Sequence, residues 1–321
     1  MKAVVYDHYG MPDQLRVEQV PTPSPGRGQV LVEVVATSVN LSDWEGLRGS
    51  PMYARFGGLT RPARRILGSD IAGRVAAVGA GVTRFAAGDE VFGDNLTRMG
   101  GFAEYVVAPE SVLAPKPAQL SFAEASTIPQ AGAIAAQAVG RAKRGERMLL
   151  NGAGGGTGMF ALQLASAAGI HVTGVDNEGK LDFIRSLGAH RAIDYRVEDF
   201  TRTGPYDVII DLVASRSVFA YRRALARGGR YLVVGGTVRA LLRVLTVGAA
   251  LGLVTGARLG VLVVREGPQH FGAVAERCVA GDVRIHIDRV FPLEQTADAL
   301  AYVGGGRALG KVVVAVAADA G

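Results

Sequence analysis

The stretch Arg147 to Gly158, RMLLNGAGGGTG, limits the folds open to this chain more than any other. Met148 to Asn151 is an apolar run of strand character, the glycines end it, and Met159 to Ala168 follows with Leu162 and Ala165 at helical spacing. A strand, a tight turn and a helix in that order open a βαβ unit. Backbone N–H groups at a helix N-terminus offer donors and the positive end of the helix dipole, which suits a phosphate that has left water. Side chains would block that approach. In the frame Ala153-x-Gly155-x-x-Gly158 glycine removes the bulk, with Ala in place of the first glycine of the usual dinucleotide pattern. Counted from Gly152 instead, the third position is Thr157 and the pattern fails. The same glycines also fit a tight turn that holds no ligand.

The continuation separates these readings. His171 to Asp176, HVTGVD, is a second apolar strand ending in an acid 18 residues beyond Gly158, where a carboxylate can accept hydrogen bonds from an adenosine ribose. A helix from about Glu178 to Leu187 follows, then the β-branched runs Arg191 to Asp194, Tyr206 to Asp211 and Arg230 to Gly236. Five strands with helical segments between them predict a doubly wound parallel sheet that binds a dinucleotide.

With 321 residues the chain is long enough for two cores. Earlier strands, Lys2 to Asp7, Leu15 to Val20, Gln29 to Asn40, Ser69 to Gly79, Asp89 to Gly93 and Phe102 to Pro109, are short and separated by Gly and Pro without long helices, which predicts a partly open β-barrel. Ser121 followed by Glu124 is helix-start chemistry and is read as the opening of the second domain. Leu259 to Val264 reads as the last strand of its sheet, and the tail from Val283 to Val316 returns to β, as a strand completing the barrel would. The expected domains are therefore 1–121 with 283–321, and 122–282.

Charge and cysteine content narrow the function classes. Arg and Lys exceed Asp and Glu by six, and only five of the 35 bases are Lys. An Arg-rich surface attracts anions, yet the bases are scattered except at Arg55, Arg61, Arg64 and Arg65, read as a solvated loop or as the electropositive rim of a cleft. The single cysteine, Cys278, excludes an intrachain disulfide and a Cys-rich metal site, and is expected on a helix as a small apolar residue. Lys2, Asp7 and His8 interrupt any apolar signal region, and the uncharged run Val244 to Ala257, 14 residues between Arg243 and Arg258, is shorter than a bilayer span. A cytoplasmic protein without a membrane partner is the expectation.

The order of motifs resembles the zinc-independent quinone oxidoreductase branch of the medium-chain dehydrogenase/reductase superfamily. The resemblance rests on Ser38 to Trp44, Leu67 to Gly93, Gly100 to Ser111, the NGAGGGTG turn, Leu187 to Phe200 and Gly306 to Val314, and covers essentially the full chain. It implies a GroES-like barrel built from both termini, an inserted Rossmann domain, and hydride transfer from a nicotinamide. Zinc-containing relatives carry Cys and His where this chain has Asn40, or a neighbour, and Ser69, so zinc has no thiolate to hold it. Substrates that are already electrophilic, quinones or activated enones, are then implied.

The resemblance also implies the site residues. Asn40 and Asp43 are the catalytic candidates: the Asn40 amide is placed to donate to a developing oxyanion, although Asn40 can equally cap a turn and Asp43 sit in the first turn of a helix. Glu45 stands where many relatives have Lys or Tyr, and an ionised Glu donates no proton; Ile134 stands where relatives often carry Thr. The implied cofactor contacts are Ala153, Gly155, Gly156, Thr157, Gly158, Asp176, Lys180, Tyr195, Arg196, Val213, Gly235, Gly236 and Arg307. Lys180, Tyr195 and Arg196 match positions around the 2′-phosphate of NADPH, whereas Asp176 suits the free 2′-hydroxyl of NADH. NADPH is the expected cofactor, with NADH second. A cofactor-binding sensor or nucleic-acid binder with little turnover is the competing reading, opposed by the lack of an aromatic-interleaved basic stripe. The apolar stretch Val238 to Val264 is expected to form a homodimer interface through Leu259 to Val264, with the preceding helix lining the cleft or covering the sheet; a monomer folding this segment onto its own core is the alternative.

Overall fold

The computed structural model describes residues 1–317. Seven strands come first: β1 (Lys2–Val5), β2 (Arg16–Gln19), β3 (Gln29–Val39), β4 (Asp70–Val78), β5 (Glu90–Asp94), β6 (Tyr105–Pro109) and β7 (Leu113–Pro115). Six more, β8 (Arg147–Asn151), β9 (His171–Asp176), β10 (Arg191–Asp194), β11 (Tyr206–Asp211), β12 (Leu225–Val233) and β13 (Arg258–Val261), alternate with helical segments, and β14 (Ile287–Pro292) and β15 (Lys311–Ala315) close the chain. Two compact units result: Met1–Ala133 with Arg265–Gly321, and Ile134–Val264.

The first unit is the barrel. Its main sheet runs β14-β15-β3-β4-β5-β7, with β6 also paired to β3. The eleven-residue β3 is the hub, antiparallel to β15, β4 and β6. Val30, Val32 and Val34 alternate along it and pack with Ile71, Val91 and Val106 in one apolar cluster, the period of two that gives a strand one buried face. β15 therefore completes the barrel from the far end of the chain.

The unit borders fall at 133/134 and 264/265, whereas the sequence pattern placed them at 121/122 and 282/283. The helix Phe122–Ser126 does have the reciprocal Ser121–Glu124 cap, but the Phe122 ring lies under Arg74 of β4, with the guanidinium carbon 4.7 Å from the centroid. Helix Pro268–Val279 joins the barrel likewise: Phe271 is fully buried and meets Phe92 of β5 edge-on at 5.1 Å. Apolar side chains, not the nearest sheet in sequence, assign these helices.

The second unit is a six-stranded parallel sheet of order β10-β9-β8-β11-β12-β13. Strand order reverses between β8 and β11, and ligands of such sheets bind outside the carboxyl ends of the strands at that point. Leu149, Ile209, Tyr231 and Val233 lie in one core cluster with Val175 and Tyr221. As expected, β13 is the sheet's edge. Just beyond it Leu262 is 4% exposed and packs inside the protomer, whereas Val263 is 77% exposed.

The apolar segment before β13 is longer than the run between Arg243 and Arg258 implies. Val238–Arg243, a π turn at Val244–Gly248 and Ala249–Thr255 make a continuous helix of 18 residues, long and apolar enough to cross a membrane, with 11% of it buried. Arg243 lies within the helix instead of bounding it, and so does Arg239.

Candidate functional site

In the barrel unit, four adjacent strands bring polar residues to one end. Asn40 follows β3, Ser69 and Asp70 stand at the start of β4, Asp94 ends β5 and Lys311 begins β15. Strand register does the work: Ser38 pairs with Asp70, Asp70 with Asp94, and Val39 with Val312 next to Lys311. Asn40, Asp43, Ser69, Asp70, Asp94, Gln130 and Lys311 are all buried.

Every polar atom of the Asn40 side chain has a partner inside this cluster. Its Nδ2 donates to Asp70 Oδ2 at 2.8 Å and to Ser69 Oγ at 3.1 Å, and its Oδ1 accepts from Lys311 Nζ at 2.7 Å. A carboxamide has two N–H hydrogens, so none is left over. The N–H groups that the resemblance assigns to an oxyanion are thus engaged within the cluster. The amide oxygen holds the Lys311 ammonium, which also lies 3.4 Å from Asp70 Oδ2. Asp70 Oδ2 accepts further from Ser38 Oγ at 3.0 Å, and Asp70 Oδ1 accepts the backbone N–H of Gln130 at 2.9 Å, in the first turn of helix Pro129–Val139. A carboxylate at a helix N-terminus is electrostatically stabilised there.

Asp43 is the third residue of helix Leu41–Arg48, and its two oxygens accept the N–H of Asn40 at 2.8 Å and of Gly68 at 3.0 Å. It clamps the helix start to the segment entering β4. Burial pushes its carboxyl up to about 7, against the pull of these donors. Burial, with Asp70 and Glu266 near, holds Asp94 well above the usual carboxylate range; burial lowers Lys311 despite Asp70 and Asp43. Glu45, the next carboxyl on the same helix, is likewise raised by burial to about 7, against the pull of Tyr53. Tyr53 Oη donates to it at 3.3 Å.

Asp70, Asp94, Gln130 and Lys311 were not identified from sequence, although signals existed. Lys311 is a lone charge opening an otherwise apolar strand, and Asp70 follows Ser69 at the start of another. The rim arginines divide: Arg65 is paired with Asp7 at 2.6 Å and Arg55 lies over the Tyr9 ring at 4.8 Å, whereas Arg61 and Arg64 remain exposed.

In the second unit, the glycine turn joins β8 to helix Gly156–Ala167. Gly152 makes the sharp turn at φ +87°, a conformation glycine adopts without penalty. A Cβ on Gly158 would lie 2.3 Å from the Ala153 carbonyl oxygen, so this glycine lets helix and strand pack. Around Gly155, by contrast, a Cβ would have no protein atom nearer than 3.8 Å, and no side chain caps the helix there. Open space in front of uncapped N–H groups of Gly156, Thr157 and Gly158 is what a pyrophosphate needs. The residues thus fit a dinucleotide.

Asp176, at the end of β9, accepts the N–H of Gly154 at 2.9 Å and of Asn177 at 2.9 Å, and Lys180 Nζ lies 3.8 Å away, itself buried. Its charge is therefore engaged with the loop, and less of it opposes a phosphate than the bare sequence implies. Tyr195 and Arg196 follow β10 alongside, the Tyr195 N–H donating to the Asp176 carbonyl at 3.2 Å and Arg196 lying 5.6 Å over the Tyr195 ring. Val213 borders Gly152, and a Cβ on Gly236 (φ +106°) would meet Ala214 at 2.8 Å; Gly235 also has positive φ, +70°. Buried Asp211 ties this rim together, accepting from Asn151 Nδ2, the Val213 and Ala214 N–H groups and Tyr231 Oη. Arg307 belongs to the barrel unit, exposed, its guanidinium 4.9 Å over Tyr302.

Residues 26–118 match the family described as alcohol dehydrogenase GroES-like domain, and residues 187–314 the family described as zinc-binding dehydrogenase. The residues here do not fit the zinc of that description: the end of the barrel offers no thiolate or imidazole, its Asp43 and Asp70 oxygens are taken up by backbone, amide and ammonium donors, and no group of three or more His, Cys, Asp or Glu among the described residues is arranged to hold a metal. The chain is similar to the chloroplastic quinone oxidoreductase of Triphysaria versicolor, 33% identical over 98% of each chain. It is similar to an NADPH-dependent alkenal/one oxidoreductase of Arabidopsis thaliana, 31% identical over 98% of this chain and 79% of that one. Among solved structures it is similar to a quinone oxidoreductase from Coxiella burnetii, with TM-score 0.90, 29% identity and 99% of each chain covered.

Proposed function

Because the chain belongs to the zinc-independent, quinone oxidoreductase-like branch of the medium-chain dehydrogenase/reductase superfamily, we propose a division of labour among its residues in the reaction that membership brings. It is an NADPH-dependent oxidoreductase that reduces a quinone or an activated enone. Bound NADPH supplies the hydride. The reading of a sensor or nucleic-acid binder with little turnover is not favoured beside these relatives.

Gly155, Gly156, Thr157 and Gly158, with Ala153 behind them, receive the pyrophosphate at the helix N-terminus. Lys180, Arg196 and Tyr195 receive the 2′-phosphate, and Asp176 fastens the loop between them. Val213, Gly235 and Gly236 bound the nicotinamide half, and Arg307 is the contact assigned to the barrel. Asn40 and Asp43 act by position: Asn40 carries the Lys311 ammonium, and Asp43 locks the start of helix Leu41–Arg48. The single observation that supports this reading is the Asn40–Asp70–Lys311 cluster, a buried ion pair fixed by the Asn40 amide at one end of the barrel.

We also propose a cytoplasmic homodimer. The unpaired outer edge of β13 supports the dimer, since an open edge invites strand pairing; the single cysteine supports the compartment. The test of function is loss of NADPH absorbance with a panel of quinones and enones. Turnover is expected with at least one, and tight nucleotide binding with no turnover on any would overturn the reading.

A further inference from the structure

The helix Val238–Thr255 carries apolar side chains on both sides. Leu241, Val244 and Leu251 face inward onto the core of the parallel sheet. Leu242, Leu245, Leu253 and Val254 point outward and are 56%, 57%, 91% and 86% exposed. Several large apolar side chains exposed to this extent on one helix mark something that covers them.

Charge identifies what. From Leu212 to Arg265 the chain has nine arginines and no Asp or Glu, although the whole chain has an excess of only six. Arg239 and Arg243 lie on the helix and Arg258 just beyond it, all three exposed. A second copy pressed onto this face would bring arginines together with no local acid to pair them. An anionic lipid surface supplies the opposite charge and the apolar layer together, the combination that holds basic amphipathic helices in the interface plane. Spanning is excluded by the inward stripe, which is already used against the sheet. We propose that the outer face of Val238–Thr255 rests on an anionic bilayer, with Leu242, Leu245, Leu253 and Val254 entering the acyl boundary and Arg239, Arg243 and Arg258 meeting lipid headgroups.

The experiment is co-flotation of the full chain with vesicles of phosphatidylcholine, with and without phosphatidylglycerol. Wild type is expected to float with the anionic vesicles and to stay behind with neutral ones. Leu245→Ser/Leu253→Ser, exposed positions that leave the inner stripe intact, should abolish flotation while turnover of a water-soluble quinone is unchanged. Arg239→Gln/Arg243→Gln should weaken it by roughly fivefold per arginine removed. The proposal is overturned if wild type ignores anionic vesicles, or if the leucine variant floats as wild type does. It is equally overturned if the leucine variant halves the mass in solution, which would make this face a contact between copies.

Discussion

At the scale of single residues, the buried cluster at the end of the barrel responds most sharply to change. Lys311→Met removes the only cation among Asp70, Asp94 and Asn40 Oδ1, leaving a buried carboxylate uncompensated. A loss of about 3–5 kcal/mol is expected, read from the urea midpoint; an unchanged midpoint would mean the ammonium compensates nothing. Asp94 makes the opposite case. Its proton is retained in the folded chain at pH values where the unfolded chain has lost it, so its stabilisation is complete below the ordinary carboxylate value of 3.8 and is lost as pH rises. Asp94→Asn mimics the neutral acid and keeps the acceptor for Leu96 N–H. It should therefore match wild type near pH 4 and exceed it in stability at pH 8, and equal stability at both pH values would count against the buried proton.

At the scale of elements, the glycine turn gives separable outcomes. Gly158→Ala sets a Cβ against the Ala153 carbonyl and should destabilise the second unit and abolish nucleotide binding together, as circular dichroism and a binding isotherm would record. Lys180→Ala keeps the turn and should raise the KM for NADPH more than for NADH, by roughly tenfold or more for a charge-assisted contact of about 1.5–3 kcal/mol; equal effects on both would remove Lys180 from the 2′-phosphate. How legible these elements were follows from range. The parallel strands, the turn and the acid of β9 were readable because each is set by neighbours a few residues away. Helices Phe122–Ser126 and Pro268–Val279 were assigned to the other unit because Phe122 and Phe271 show which sheet they cover only once that sheet exists. Asn40 was singled out in the sequence, but its partners Asp70 and Lys311 were not, since they are 30 and 271 residues away along the chain.

At the scale of the whole molecule, nucleotide binding and assembly are both measurable as stability or mass. NADPH at about 100 times its Kd should stabilise the second unit by about 2.7 kcal/mol, moving its melting transition upward, and no shift would argue against the cradle. Light scattering should give twice the 33.4 kDa of one chain, and a mass of one chain at micromolar concentration would remove the dimer. The hydrogen bond between Lys311 and Asn40 has a consequence for how the protein is made. A chain leaving the ribosome presents Asp70 early, yet the cation that pairs with it in the buried cluster arrives only with β15. Until then the barrel's acidic end has to stay open to water. Synthesis interrupted before Lys311 therefore yields a product in which Asp70 and the Asn40 carbonyl lack the ammonium that they share in the folded barrel.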